Sequence, residues 1–161
     1  MPEEKKVPDI FCPKSGKIDW IGIRPHKQQA LISLDRVEAI RDLGLEGDHY
    51  NKPGGKRQIT LIQAEHLPLI AGFLRIQSID PLLTRRNLVI SGINLRALEQ
   101  KKVKIGKQVI LQLTGPCHPC YRMEENLGVG GYTAMIGYGG MTARVLKGGY
   151  IELGDKVELL Y

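Results

Sequence analysis

GGMTARVLKGGYIELGDKVELL, residues 139–160, is the stretch on which the fold turns. Thr142 to Leu146 and Lys156 to Leu160 each alternate polar and apolar residues, the period of a half-buried strand. Gly148-Gly149 and Gly154-Asp155 lie between them and supply turns. The same grammar extends upstream. Val103 to Ile105 and Gln108 to Thr114 read as strands around Gly106, Asn87 to Ile90 as a short apolar strand, and Arg57 to Ile62 as a buried one. Ala30 to Ile40 leans towards strand for its β-branched content. Lys17 to Arg24 alternates as well.

Helical signals are fewer. Leu67, Ile70 and Leu74 have helical spacing in and after Gln63 to Phe73, with Pro68 confined to the first turn. Cys120 to Leu127 has the same spacing and Gly128 just past its end. Asn94 to Gln100 and Tyr132 to Ile136 are short helices or turns. Gly44 to His49 and Asn51 to Gly55 break regular structure. No repeat of fixed period is visible. Strands and helices do not alternate in the manner of a doubly wound sheet, so the expected fold is mainly β: a closed or nearly closed barrel with a few short helices.

The 161 residues suit one domain and can bury a core without disulfides. Residues 1–16, charged and carrying Pro2, Pro8 and Pro13, read as a flexible extension, which leaves 17–161 as the single barrel domain. The net charge of +6 favours anionic partners. An aromatic content of 6% is low for a protein that stacks bases, so nucleic acid is not the expected partner. Three cysteines, two of them in a C-x-x-C pair, do not make a secreted disulfide framework. The N-terminus lacks a signal peptide's apolar core, and no apolar run is long enough to span a membrane. A cytoplasmic protein with no membrane association is expected.

The chemistry concentrates in Gly115-Pro116-Cys117-His118-Pro119-Cys120. This segment follows a strand and precedes a helix. A sulfur there meets the positive end of a helix dipole, which suits a nucleophilic or metal-ligating thiolate. Thioredoxin-like exchange normally sits in a βαβ context, which is missing. Structural zinc needs four ligands, and Cys12, His49 and His66 have no partner spacing. A thiolate ligand or sulfur carrier for a soft metal is a third reading, and two small buried residues in a turn a fourth.

Other candidates are weaker singly. Asp48 and His49 adjoin in a glycine-flanked loop that either binds a ligand or forms an Asx-type turn. Arg85-Arg86-Asn87 opens a strand, where adjacent residues face opposite sides, so one arginine at most is expected in a shared site. Arg57 and Arg144 also open or lie in strands. Together with Arg86 they would suit a phosphate or carboxylate at a barrel mouth.

An ordered set of motifs resembles the MOSC domain family, the modules similar to the C-terminal domain of molybdenum cofactor sulfurase. The motifs are GLEGDH (44–49), RQITLIQAEH (57–66), RRNLVISG (85–92), GPCHPCYRME (115–124), GGMTARV (139–145) and GGYIELGDKV (148–157). The resemblance implies a β-barrel with molybdenum cofactor (molybdopterin) as its ligand. It implies that Cys120, the second member of a Pro-Cys pair before a helix, is the catalytic and metal-facing cysteine, which either binds the cofactor or carries its sulfur. It maps Arg86 and Asn87 to a pterin phosphate or pyranopterin edge, and Asp48 and His49 to the Gly-Asp-His loop. Cys117 matches only some members. The 161 residues hold no aminotransferase-like domain and no ferredoxin-like cysteine array. The family's chemistry would therefore need a separate electron-donor or sulfur-donor protein, as for small reductases of N-hydroxylated substrates. A non-catalytic cofactor carrier and a zinc-binding β domain are the alternatives.

Overall fold

Residues 4–27 and 29–161 are described by a computed structural model. Met1, Pro2, Glu3 and Gln28 fall outside the described residues, and with the first three goes the start of the expected extension. From Glu4 to Ser15 the chain forms no strand or helix. It nonetheless makes contacts: the Cys12 amide donates to the Tyr161 hydroxyl at 2.9 Å, and the Phe11 and Tyr161 rings lie 5.9 Å apart.

The described residues form strands β1 (Gly16–Ile23), β2 (Ile32–Leu34), β3 (Arg36–Ile40), β4 (Gly44–Leu45), β5 (Ile59–Gln63), β6 (Leu88–Ser91), β7 (Lys102–Ile105), β8 (Val109–Pro116), β9 (Met141–Lys147), β10 (Gly149–Glu152) and β11 (Lys156–Leu160). Three short α-helices accompany them, α1 (His66–Leu74), α2 (Arg122–Leu127) and α3 (Gly131–Met135), with 3-10 helices at Pro81–Thr84 and, where a short helix or turn was expected, Leu95–Leu98. The sheet order β11-β7-β8-β9-β5-β6-β1 closes on itself through β1–β11 pairing at Gly16↔Val157 and Lys17↔Lys156. This is the expected closed barrel, and closure removes the unpaired edges that an open sheet exposes.

β1 serves three neighbours. Its first residues pair with β11, its middle with β6, and Ile21–Ile23 with β2. A register shift between Ile18 and Trp20 lets it turn from one task to the next. Inward side chains fill the barrel with Ile21, Leu61, Leu88, Ile90, Val103, Leu111 and Val157, all fully buried.

Two expectations are corrected. Gly148-Gly149 does not turn β9 back towards β11. The chain leaves the barrel there as β10, which pairs with β3, and β3 pairs with β4, to make a second sheet of three strands. The Gly44-Leu45 break is itself β4. A single βαβ unit is also present: β5 and β6 run parallel, and α1 lies in the connection between them. Its signature is the near-continuous burial of β5 and β6, because both faces are covered. Ile59 and Leu61 face the barrel. Ile62 and Val89 face outward into a second cluster with Ile70, Met123, Ala134 and Met135 of the helices.

Candidate functional site

The outer wall of β5 and β6 has two uses. One part packs under the helices; the other, around Thr60 and Asn87, floors an open cleft with a volume of about 360 Å3. Its walls come from the loops that follow β1, β4 and β8 and from the residues leading into β5 and β6. Six cationic side chains line it: Arg24, Lys27, Arg57, Arg85, Arg86 and Arg122. Asp48 is the one carboxylate in the lining.

Asp48 is already engaged. Its Oδ1 accepts from the Arg24 amide at 2.8 Å and its Oδ2 from the Tyr50 amide at 3.2 Å, while the His49 amide donates to the Arg24 carbonyl at 2.6 Å. The Gly-Asp-His motif is thus a fastener that ties the loop after β4 to the end of β1. It combines the two readings drawn from sequence: a turn-type carboxylate, with His49 left lining the cleft.

Asn87 plays a similar part. Its Oδ1 accepts from the Thr60 amide (3.0 Å) and the Thr60 hydroxyl (3.1 Å), and its Nδ2 donates to the Gly22 carbonyl at 3.0 Å. It knits β1, β5 and β6 beneath the cleft, and its side-chain capacity is largely spent there.

Arg86 carries the strongest signal. It is 2% exposed. Its Nε donates to the Gly139 carbonyl at 2.6 Å, Nη1 to the Thr84 carbonyl at 3.2 Å and Nη2 to the His118 carbonyl at 3.4 Å. Among the described residues no carboxylate pairs with it. Burial lowers its pKa most, the nearby Cys117 sulfur opposes that, the Arg57 charge adds to the lowering, and Cys120 opposes it in turn. Arg24 is lowered too, by burial first, with Asp48 opposing and Arg122 and Arg57 reinforcing. The Arg24 Nε is buried without a hydrogen-bond partner among the described residues. Guanidinium groups stay protonated through such shifts. Of the cleft's cations only Arg86 is buried; Arg24, Arg85 and Arg122 are half-buried, and Arg57 is exposed. A buried cation that faces like charges and no carboxylate is costly unless an anion completes the site.

The same three carbonyls explain how Cys120 is presented. Arg86 clamps Gly139 on one side and His118 on the other. The Cys117 amide donates to the Gly140 carbonyl at 2.8 Å. A Cβ on Gly139 would lie 2.2 Å from the Cys117 carbonyl, and one on Gly140 1.8 Å from the Leu61 carbonyl. The Gly-Gly of the GGMTARV motif therefore makes room for the cysteine loop against β5. Beyond it, Met123 is buried among the helices, and Glu124 accepts from the Gly130 and Tyr132 amides at 3.1 and 2.8 Å. Held at both ends, the loop puts Cys120 exposed at the cleft.

Cys117 goes elsewhere. It is 3% exposed and lines a separate cavity of about 370 Å3 with Pro116, Ile136 and Met141; His118 borders both spaces. All three cysteines are free. Arg144 is not brought to the cleft either. It extends from β9 to Asp42, 3.0 Å away, because its place on the strand directs it behind the loop that carries Arg57. The expectation for Arg85 and Arg86 also needs correction. β6 begins only at Leu88, Arg85 has a left-handed backbone (φ 62°), and both arginines reach the cleft. Sequence reasoning missed Arg24 and Arg122. Their only signals were positions at a strand end and two residues after Cys120. The zinc reading finds no ligand set: among the described residues no three His, Cys, Asp or Glu side chains come close enough to hold a metal ion. Among them too, no helix is long and apolar enough to cross a membrane.

The chain is thus a closed barrel with a helical cap, a cationic cleft and one exposed thiol at that cleft. The family model for the MOSC domain matches residues 46–158, and the chain belongs to that family, which is associated with molybdenum cofactor binding. The fold is also that of solved structures. The YuaD protein from Bacillus subtilis superposes with a TM-score of 0.80 at 20% identity, over 91% of this chain and 96% of that one. YiiM from Escherichia coli gives 0.71 at 21% identity, over 92% and 71%. YiiM from Geobacillus stearothermophilus gives 0.73 at 18% identity, over 91% and 75%. A search of curated proteins returns no significant match.

Proposed function

We propose that the cleft binds molybdenum cofactor, with Cys120 as the protein thiolate facing the metal, and that the bound protein reduces N-hydroxylated substrates with electrons from a separate donor protein. The observation that carries this reading is Arg86: a buried cation with carbonyl partners only, beside an accessible thiol. The donor set suits the group. Arg24, Arg57, Arg86 and Arg122 complement a phosphate, and a thiolate is the soft donor that molybdenum favours. When bound, the cofactor supplies a redox-active metal that the chain's own side chains do not provide. The residues around it bind and orient. Asp48 and Asn87 hold the cleft walls in register, and His49 and His118 add imidazole nitrogens to the lining. Three free thiols agree with a reducing, cytoplasmic setting.

The test is molybdenum and pterin analysis of protein produced in a host that makes the cofactor. Wild type and Cys117→Ser should retain both. Cys120→Ser should lose most of the metal, about tenfold or more, as second-sphere and ligand changes commonly cost. Equal molybdenum in wild type and Cys120→Ser would overturn the ligand assignment. Zinc at one per chain without molybdenum would overturn the reading altogether. Turnover of an N-hydroxylated base with a chemical reductant then separates an enzyme from a carrier.

A further inference from the structure

Residues 50–57 form a strap between β4 and β5, and they bring Tyr50 and Arg57 to the cleft. The strap is fastened from behind. Asp42, in the left-handed region at φ 54°, receives the Gly54 amide on Oδ2 at 3.1 Å. Its Oδ1 receives Gln58 Nε2 at 3.1 Å and Arg144 Nη2 at 3.0 Å. Gln58, 1% exposed, also reaches the Lys52 carbonyl at 3.4 Å, and its Oε1 accepts from the Val145 amide at 2.9 Å. A Cβ on Gly55 would lie 3.0 Å from the Tyr50 hydroxyl, so the Tyr50 ring runs along the strap. Asp42 and Arg144 do not line the cleft.

The geometry points to Asp42 and Arg144 as positioning residues: a latch that sets where the strap holds Arg57 and Tyr50 against the cleft's ligand. The latch has a physical rationale. A loop containing Pro53, Gly54 and Gly55 has no packed core of its own. Its ends are tied by the Tyr50 amide to Asp48 and by the Thr114 hydroxyl to the Lys56 carbonyl, so the Asp42 bonds are what place its middle. Arg144 fixes the Asp42 carboxylate, which in turn fixes one strap amide and the Gln58 carboxamide. The pair therefore acts on the cleft through the strap. Its ligand consequence rests on the proposed cofactor reading; the latch itself does not.

Amide hydrogen exchange and cofactor binding together test it. Asp42→Asn keeps a residue that tolerates the left-handed backbone. Arg144→Gln removes the charge and ends short of the Nη2 that reaches Asp42. Arg144→Lys retains a cationic donor and is the rescue variant. In ligand-free protein, the Gly54 and Gly55 amides should exchange about tenfold faster in Asp42→Asn and Arg144→Gln, the ratio that follows from losing one charge-assisted hydrogen bond. Exchange in β5 and β9 should stay as in wild type, and Arg144→Lys should approach wild type. Unchanged strap exchange in both breaking variants would overturn the latch. So would equal acceleration across β5 and β9, which would mark a general loss of stability. Molybdenum cofactor released from a purified molybdoenzyme is the binding probe. About three- to tenfold weaker binding in the same two variants, recovered in Arg144→Lys, is expected. Wild-type affinity in both would overturn the positioning role. If wild type itself takes up no cofactor, the cofactor reading fails while the exchange result still decides the latch.

Discussion

At the scale of the residue, the two sulfurs of one C-x-x-C pair have separate environments. Cys120 is exposed at the cationic cleft, and Cys117 is buried on the far side of its own loop. Alkylation should distinguish them. A maleimide added to native protein should modify Cys120 at least tenfold faster than Cys117, since access governs thiol reaction as much as chemistry does. Peptide mass analysis after a short pulse reads the ratio. Equal rates would show that the loop opens and that the two sulfurs share one environment. Arg86 illustrates a second residue-scale point. A sequence reader sees a charged residue at a strand start, which is ordinarily solvated. Its burial becomes visible only once Gly139, Thr84 and His118 are brought around it, 53, 2 and 32 residues away along the chain.

At the scale of the element, the cysteine loop depends on β5 and on the glycines before β9. Gly140 has φ 90°, and a Cβ there would collide with the Leu61 carbonyl and stand 3.0 Å from the Ile62 Cα. These are backbone atoms of a strand buried on both faces, so neither moves cheaply. Gly137 has φ 83° but nothing within 4 Å of the same construction. Gly137→Ala should therefore cost only the left-handed penalty, about 1–2 kcal/mol. Gly140→Ala adds steric overlap and should cost roughly 3 kcal/mol or more. For a chain of this size that is about 2–8 °C against about 6–12 °C or more in the melting temperature. Calorimetry of the two variants checks it, and equal shifts would remove the steric argument. The second sheet gives an element-scale lesson of its own. β10 was hidden in Gly149 to Glu152 because its partner, β3, lies more than a hundred residues away.

At the scale of the whole molecule, acid should destabilise the fold progressively. The Asp42 pKa is lowered by the hydrogen bonds from Gln58 and Arg144. Burial pushes Glu65 up, but bonds from Gln63 and Gly92 outweigh it and leave the pKa lowered. For both, the unfolded chain binds protons more readily at low pH. Their stabilisation is present above the ordinary carboxylate range and fades as pH falls through the depressed folded values. His66 is lowered by burial and by the Arg96 charge, so the fold favours its neutral form. Its contribution is complete above pH 6.5 and declines below it. All three act in one direction. Urea midpoints should hold steady from about pH 8 to 7, sag from about pH 6.5, and fall further below about pH 4. A midpoint that rises on acidification would contradict all three assignments.

Much of this protein was legible in the residues themselves. Short alternating runs and glycine turns implied a mainly β barrel, because strand periodicity is local and survives without knowing the partner. The motif order singled out Cys120, Arg86 and the Asp48-His49 loop, which the fold gathers around one cleft. What remained hidden depends on neighbours distant in sequence. Periodicity does not say that β10 pairs with β3, that Arg85 and Arg86 reach one cleft, or that Arg144 braces Asp42. Nor does it say that Cys117 and Cys120 face different spaces. Those facts follow from barrel closure and from the βαβ crossover that lays α1 over β5 and β6. Closure decides which loops meet. Their meeting turns scattered, individually unremarkable arginines into an open cationic cleft with Arg86 buried in its wall and the Cys120 thiol exposed at it.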